Sequence, residues 1–160
     1  MRRSVTLGLC GVLLAAMLPS RSAAQGSVVL TVTGSPVTIP APAIADYNNG
    51  FVVDATTLSY NVNIAGGPPS NTHLTVVSIR SASATFGTLA LSNLQWARTD
   101  IGTWNALTTS DVQVESRDIS RNSGNNWTNS LQFRCLISWT GVPPATYSAN
   151  LIVTLTVTSP

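Results

Sequence analysis

Apolar and polar residues alternate along much of this chain, with the period of two that β-strands produce. The clearest case near the N-terminus extends from Ser27 to Thr33, where Val28, Leu30 and Val32 share one face. The run stops at Gly34-Ser35-Pro36, a group of residues typical of turns. This pattern predicts a strand with one apolar face.

Two runs near the C-terminus predict strands that face the core. The first extends from Leu131 to Thr140, and the second follows the turn residues Gly141-Val142-Pro143-Pro144 and ends at Thr158. Alternate positions in both runs carry aliphatic or aromatic side chains, as expected of strands with one buried face. The predicted core positions are Leu131, Phe133, Cys135, Ile137 and Trp139 in the first run and Leu151, Val153, Leu155 and Val157 in the second.

A more polar run, Asp111 to Ile119, predicts a strand on the surface, because its valines alternate with charged and amide side chains. Residues 121–126 (RNSGNN) then form the strongest turn signal in the chain. We therefore expect a hairpin that joins this strand to the one beginning at Leu131. Residues 97–110 lack clear alternation, and either a long loop or a short helix fits them.

Together these runs favour an all-β fold. Strands separated by turns, rich in Thr and Val and without an amphipathic helix, predict an antiparallel sandwich of about seven to nine strands. A small β-barrel is the alternative. The pattern contains neither an internal repeat nor a linker, so we predict one domain.

The N-terminus has the layout of an export signal. Arg2-Arg3 precedes an apolar run from Val5 to Leu18, and Ser22-Ala23-Ala24 provides the small residues of a cleavage site. We therefore expect residues 1–24 to be removed and residues 25–160 to form the exported domain. The apolar run is shorter than the about 20 residues of a membrane-spanning helix, and we predict no transmembrane segment after processing.

Processing also changes the net charge. The whole chain has a formal charge of +2, but removal of Arg2, Arg3 and Arg21 leaves five arginines against six carboxylates, which gives −1. A surface this close to neutral has no electrostatic footprint for nucleic acid or anionic lipid. The chain also lacks lysine, so its polar surface comes mainly from Ser, Thr and Asn, a composition that permits close self-association.

Candidate catalytic and metal-binding residues are few. His73 is the only histidine and Cys135 the only cysteine after processing, so neither a zinc site nor an intramolecular disulfide is expected. The only close carboxylates are Asp111, Glu115 and Asp118, and a solvated strand surface explains them better than a hydrolytic pair does. We predict a protein that is not an enzyme and holds no cofactor. A hydrolase is a minor alternative, which these carboxylates alone support.

The four tryptophans are informative because exposed aromatic rings can stack on sugars. Alternation assigns Trp96 and Trp139 to core faces. Trp104 and Trp127 fall in loop-like sequence rich in Gly, Thr and Asn, and they form the predicted ligand platform, with a polysaccharide as the candidate partner. Packing of the same rings over the end of the sandwich is the other interpretation.

Pro143-Pro144-Ala145-Thr146-Tyr147 introduces a last, Thr-rich strand that ends at Val157. This segment resembles the end of bacterial spore-coat-U-like and related pilin domains. The chain differs from that pattern in having Ala145 where glycine is usual and in lacking, after the predicted signal, the early cysteine that would pair with a later one. The resemblance implies an incomplete, immunoglobulin-like sandwich on the bacterial surface, completed by the N-terminal strand of a neighbouring subunit.

Two functional hypotheses follow. The first is a non-catalytic, secreted or cell-surface structural or adhesive protein, such as a fibre or coat subunit that associates with itself or with other surface proteins. Val28, Leu30 and Val32 then form its assembly strand, although pairing of this strand within its own subunit fits equally well. The second is a carbohydrate- or ligand-binding sandwich that uses Trp104 and Trp127.

Overall fold

Antiparallel strands form most of the structure, as predicted. The computed structural model describes residues 27–34, 36–54, 57–65, 73–119 and 126–158. The predicted signal peptide and the turn residues 121–125 lie outside the described residues. Within the described ranges, no helix has both the length and the apolar character needed to cross a membrane.

Long β-strands are separated by short strands, a short helix and a 3-10 turn. In the described part of the chain, a six-residue helix, which the alternation did not predict, and a 3-10 turn at Leu91–Asn93 interrupt the strands. In chain order the elements are β1 (Ser27–Thr33), β2 (Val37–Ile39), α1 (Ile44–Asn49), β3 (Phe51–Val53), β4 (Leu58–Ala65), β5 (His73–Ser81), β6 (Thr85–Phe86), β7 (Leu89–Ala90), β8 (Leu94–Arg98), β9 (Asn105–Ala106), β10 (Val112–Ile119), β11 (Asn126–Leu136), β12 (Tyr147–Ala149) and β13 (Leu151–Thr158).

Strand β11 is the centre of the larger sheet. It pairs with β4 and β3 along one side and with β8 along the other. Strand β1 pairs with β4 and β9 pairs with β8, so β1 and β9 end the main strand order, while, among the described strands, the three-residue β3 pairs only with β11. The smaller sheet has the order β10-β5-β13, and the short strands β2 and β12, and β6 and β7, form two further pairs.

Side chains from both sheets form one core, which gives the protein a sandwich-like architecture. Leu131, Phe133 and Cys135 of β11 are fully buried, as is Ile79 of β5. The predicted core face is confirmed along β11 from Leu131 to Cys135 and at Ile137 directly after the strand, and Trp96 of β8 is also buried as predicted. Core packing therefore follows the alternation along the central strands.

The assignment of Trp139 to the core is wrong. Strand β11 ends at Leu136, and Trp139 lies in the turn beyond it with 63% of its surface exposed. The turn reverses the chain at Ser138, whose carbonyl oxygen accepts a hydrogen bond from the Gly141 amide. Apolar residues thus continue at alternate positions past the point where the backbone stops being a strand.

The predicted hairpin between β10 and β11 is also wrong, because these two strands lie in different sheets. Strand β10 pairs with β5, while β11 pairs with β4, β3 and β8. A turn signal marks a change of direction but does not determine which strand becomes the neighbour. Residues 97–110, left open by the sequence, contain the end of β8, a turn and the short strand β9.

Candidate functional site

The predicted assembly strand is present as β1 and pairs within its own chain. It runs antiparallel to β4 in continuous register, from Ser27 opposite Ala65 to Thr33 opposite Ser59. Val28, Leu30 and Val32 are partly buried against the core. In the described part of the chain no strand pairs with the other side of β1.

Strand β13 lies next to β1, although the two belong to different sheets. Its apolar residues were predicted to be core, but as an edge strand it buries them only in part, and Val157 is 40% exposed. We call this side of the sandwich, bordered by β1 and β13, the seam. Six aliphatic side chains along it are packed against the core without being fully buried: Val28, Leu30, Val32, Leu151, Val153 and Leu155.

Both strands of the seam lack the features that usually protect sheet edges. Natural edge strands are short, bulged, or carry prolines and charges that prevent pairing with another chain. Strand β1 (SVVLTVT) and strand β13 (LIVTLTVT) contain no charged residue and no proline, and their pairing registers are regular. Among the described residues, the seam therefore presents two long, uncharged edges that nothing protects.

The opposite side of the sandwich is different. Strand β9 has only two residues, and β10 carries Glu115, Arg117 and Asp118 together with a bulge between Gln113 and Glu115. These are the protective features that the seam lacks. Protected and unprotected edges are thus segregated to opposite sides of the molecule.

The bulge in β10 places Glu115 inside the protein. An extra residue in one strand reverses the faces of the residues beyond it, so the adjacent side chains of Val114 and Glu115 both point inward and are 8% and 6% exposed. The sequence predicted a solvated carboxylate here because the alternation was read without a bulge. A bulge leaves no distinct signal in this run of residues.

The Glu115 carboxylate has four polar neighbours. Its Oε2 atom accepts hydrogen bonds from the Tyr60 hydroxyl and the Asn129 amide, each at 2.6 Å. Its Oε1 atom accepts a hydrogen bond from Arg117 Nε, and Arg98 Nη2 lies 3.8 Å away. Because Tyr60 and Asn129 belong to the larger sheet and Glu115 to the smaller one, this group, which we call the interlock, joins the two sheets.

Contacts within the interlock shift the pKa values of Glu115 and Tyr60 in opposite directions. Burial of Glu115 opposes its ionisation, but hydrogen bonds from Tyr60, Arg117 and Asn129 outweigh this effect and hold the pKa below its ordinary value. Burial, followed by the hydrogen bond to Glu115, raises the pKa of Tyr60. The carboxylate is therefore ionised and the phenol neutral over the ordinary pH range.

Trp104 and Trp127, the predicted ligand platform, are not brought together. Trp127 packs against the core near the start of β11, with the Arg117 guanidinium 5.2 Å from its ring centre. Trp104 lies against Arg134, whose guanidinium is 4.3 Å from the ring centre. Arg134 alternates with the buried Phe133 and Cys135, so it projects from the outer face of the sheet. The two indoles are on opposite faces, and each has a guanidinium over its ring.

A different aromatic pair is exposed at one end of the sandwich. Trp139 stacks on Tyr47 of α1 with ring centres 4.7 Å apart and an angle of 24° between the planes. The pair borders a groove of about 510 Å³ between α1 and the turn after β11. The sequence did not indicate this site, because the alternation assigned Trp139 to the core and predicted no helix at Tyr47.

Cys135 lies in the core, and His73 lies at the start of a strand. Cys135 is fully buried, as predicted, and burial raises the pKa of its thiol to about 11. His73 begins β5, and its Nδ1 atom lies 3.1 Å from the Thr158 carbonyl oxygen. Among the described residues, no three His, Cys, Asp or Glu side chains are grouped as metal ligands.

The fold defines an all-β, antiparallel, sandwich-like protein, and within the described residues no strand covers the seam. We found no protein-family model, curated protein or solved structure that matches this chain.

Proposed function

We propose that this chain is a non-catalytic structural subunit, secreted or displayed on the bacterial cell surface, that associates with further copies of itself through the seam. The observation that carries the proposal is the segregation of edges: β1 and β13 are unprotected and adjacent, whereas β9 and β10 are short, bulged or charged. The proposed location rests on the predicted signal at residues 1–24 and on the C-terminal resemblance.

The seam suits an added β-strand for two physical reasons. Edge strands present backbone amide and carbonyl groups that water satisfies in a monomer and that a further strand satisfies in an assembly. An added strand also covers the aliphatic side chains that the seam leaves partly exposed, at about 25 cal/mol for each Å² of apolar surface removed from water. Strand addition therefore combines directional hydrogen bonding with apolar burial.

A second copy of this chain is the occupant that the charges favour. Neither β1 nor β13 carries a charge, so two seams approach each other without local electrostatic repulsion. The predicted exported chain has a formal charge of only −1, which adds little repulsion between whole molecules. We propose that the neighbour contributes the outward edge of its own β1. That strand has the alternating, uncharged character of the strands that it joins.

Lysines at the seam are expected to prevent this association. Thr31 in β1 and Thr156 in β13 are both exposed, so Thr31→Lys combined with Thr156→Lys places two charges on the edges without disturbing the core. We expect the unmodified protein to form oligomers or fibres whose mass increases with concentration, and the double variant to remain monomeric. Light scattering with negative-stain microscopy measures both.

The matched control is Ser116→Lys, an exposed position on the protected strand β10. This variant is expected to assemble like the unmodified protein, and far-UV circular dichroism verifies that all variants fold. Equal assembly of the seam variant and the control would contradict the proposal, as would an unmodified protein that is monomeric at every concentration.

A further inference from the structure

We propose that the groove between α1 and the turn after β11 binds a neutral oligosaccharide through the open face of Trp139. This inference is independent of the seam, which lies along β1 and β13. The two most exposed large hydrophobic side chains of the described residues, Ile44 at 73% and Trp139 at 63%, both line this one groove. Apolar side chains grouped in this way on a surface are typical of a binding site.

The groove is held in shape by hydrogen bonds to its wall. The Tyr47 hydroxyl donates to the Val142 carbonyl oxygen at 2.7 Å, and the Tyr147 hydroxyl donates to the Pro143 carbonyl oxygen at 2.7 Å. The Ile137 amide also donates to the Gly50 carbonyl oxygen at 3.0 Å, which fixes the end of α1 to the end of β11. A preformed wall lowers the entropic cost of binding a ligand.

The aromatic pair leaves one stacking surface free. One face of the Trp139 indole lies on Tyr47, and because most of Trp139 is exposed, its other face is open to solvent. An indole offers a flat apolar surface together with a polar N–H at its edge, which matches the apolar face and peripheral hydroxyls of a sugar ring. Thr140 adds a hydroxyl to the lining.

The absence of charge selects the ligand class. None of the described residues that line the groove is charged, so nothing there matches an anionic sugar, a phosphate or an anionic lipid headgroup. Proline-rich peptides dock in grooves that are lined by aromatic side chains. Here Tyr47 and Trp139 stack on each other and present one free ring face rather than a row of rings. A neutral saccharide stacked on a single ring face fits both observations.

Titration calorimetry of the purified protein with cellohexaose, maltohexaose and N-acetylated chitohexaose tests the proposal. We expect at least one of these neutral hexasaccharides to bind at millimolar or lower concentration. Trp139→Ala should weaken that binding about tenfold, the effect of losing one stacked ring, while Trp139→Phe retains part of it. Because Trp139 is exposed, its replacement is compatible with folding, which circular dichroism verifies.

Two further variants separate the groove from other surfaces. Trp104→Ala removes a tryptophan outside the groove, and Ile101→Ala removes an exposed aliphatic side chain outside it, so both should leave the affinity within about twofold of the original value. The proposal is overturned if none of the three saccharides binds at millimolar concentration, or if binding does not depend on Trp139. Trp139-dependent binding of a polyproline peptide in the absence of saccharide binding would also overturn it.

Discussion

Replacing Glu115 by alanine is expected to lower the free energy of unfolding by about 3 kcal/mol. The carboxylate is 6% exposed and accepts hydrogen bonds from Tyr60, Asn129 and Arg117. Its removal leaves the Tyr60 hydroxyl and the Asn129 amide without their acceptor between the two sheets, and it leaves Arg98 without this counter-charge. Urea denaturation followed by circular dichroism measures the loss.

The control for this variant is Asp111→Ala, just before the same strand. Asp111 forms an ion pair with Arg80 at 3.4 Å, but half of its side-chain surface is exposed. Exposed pairs contribute little, so a loss of less than about 1 kcal/mol is expected. Similar losses for the two variants would show that the interlock does not stabilise the contact between the sheets.

The pH dependence of stability tests the same interlock. Glu115 has a pKa below its ordinary value of 4.5 in the folded protein and regains an ordinary value on unfolding. Its ionisation therefore contributes stability that is fully present above about pH 4.5 and is lost as the pH falls through the folded pKa. Glu115→Gln lacks this contribution, so its stability deficit relative to the unmodified protein should shrink in acid. A deficit that stays constant would contradict the assigned pKa direction.

Gly34→Ala is expected to cost about 2 to 4 kcal/mol and to loosen β1 from β4. Gly34 follows β1 directly and has φ of +90°, a conformation that favours glycine. A Cβ atom built there lies 2.4 Å from the Thr57 carbonyl oxygen, which is backbone and has little freedom to move. The backbone on either side must therefore separate at the point where β1 meets β4.

Gly102→Ala provides the comparison for that prediction. Gly102 has a similar φ of +75°, but a Cβ atom there meets nothing within 4 Å. This variant has the conformational strain without the close approach, so a loss of about 1 kcal/mol is expected. Thermal unfolding of both variants, with hydrogen exchange of β1, measures the difference. Equal losses would show that the contact between Gly34 and Thr57 does not hold β1 in place.

The sequence predicted the positions of the principal strands well, because a buried face imposes a period of two on the residues themselves. The bounds expected for the first strand, Ser27 to Thr33, are those of β1, and the expected core positions are buried along β11 and at Ile137 directly after it. Strand pairing was predicted less well. The partner of β10 is β5, and the turn signal in the sequence at residues 121–126 does not specify a strand so distant along the chain.

The interlock and the groove were beyond sequence reasoning for related reasons. Glu115 is buried because a bulge changes the phase of the alternation within β10, and a bulge depends on the partner strand as much as on its own residues. Tyr47 and Trp139 are 92 positions apart (139 less 47) and meet only because α1 lies beside the end of β11. Each site is formed by contacts between distant segments.

Hydrogen exchange by mass spectrometry, comparing the monomer with the assembled protein, tests the seam most directly. We expect amides in residues 27–33 and 151–158 to become protected on assembly, because their outward backbone groups acquire partners, while residues 112–119 on the protected edge exchange at unchanged rates. Protection that develops in residues 112–119 instead, or assembly without added protection in either seam strand, would contradict it.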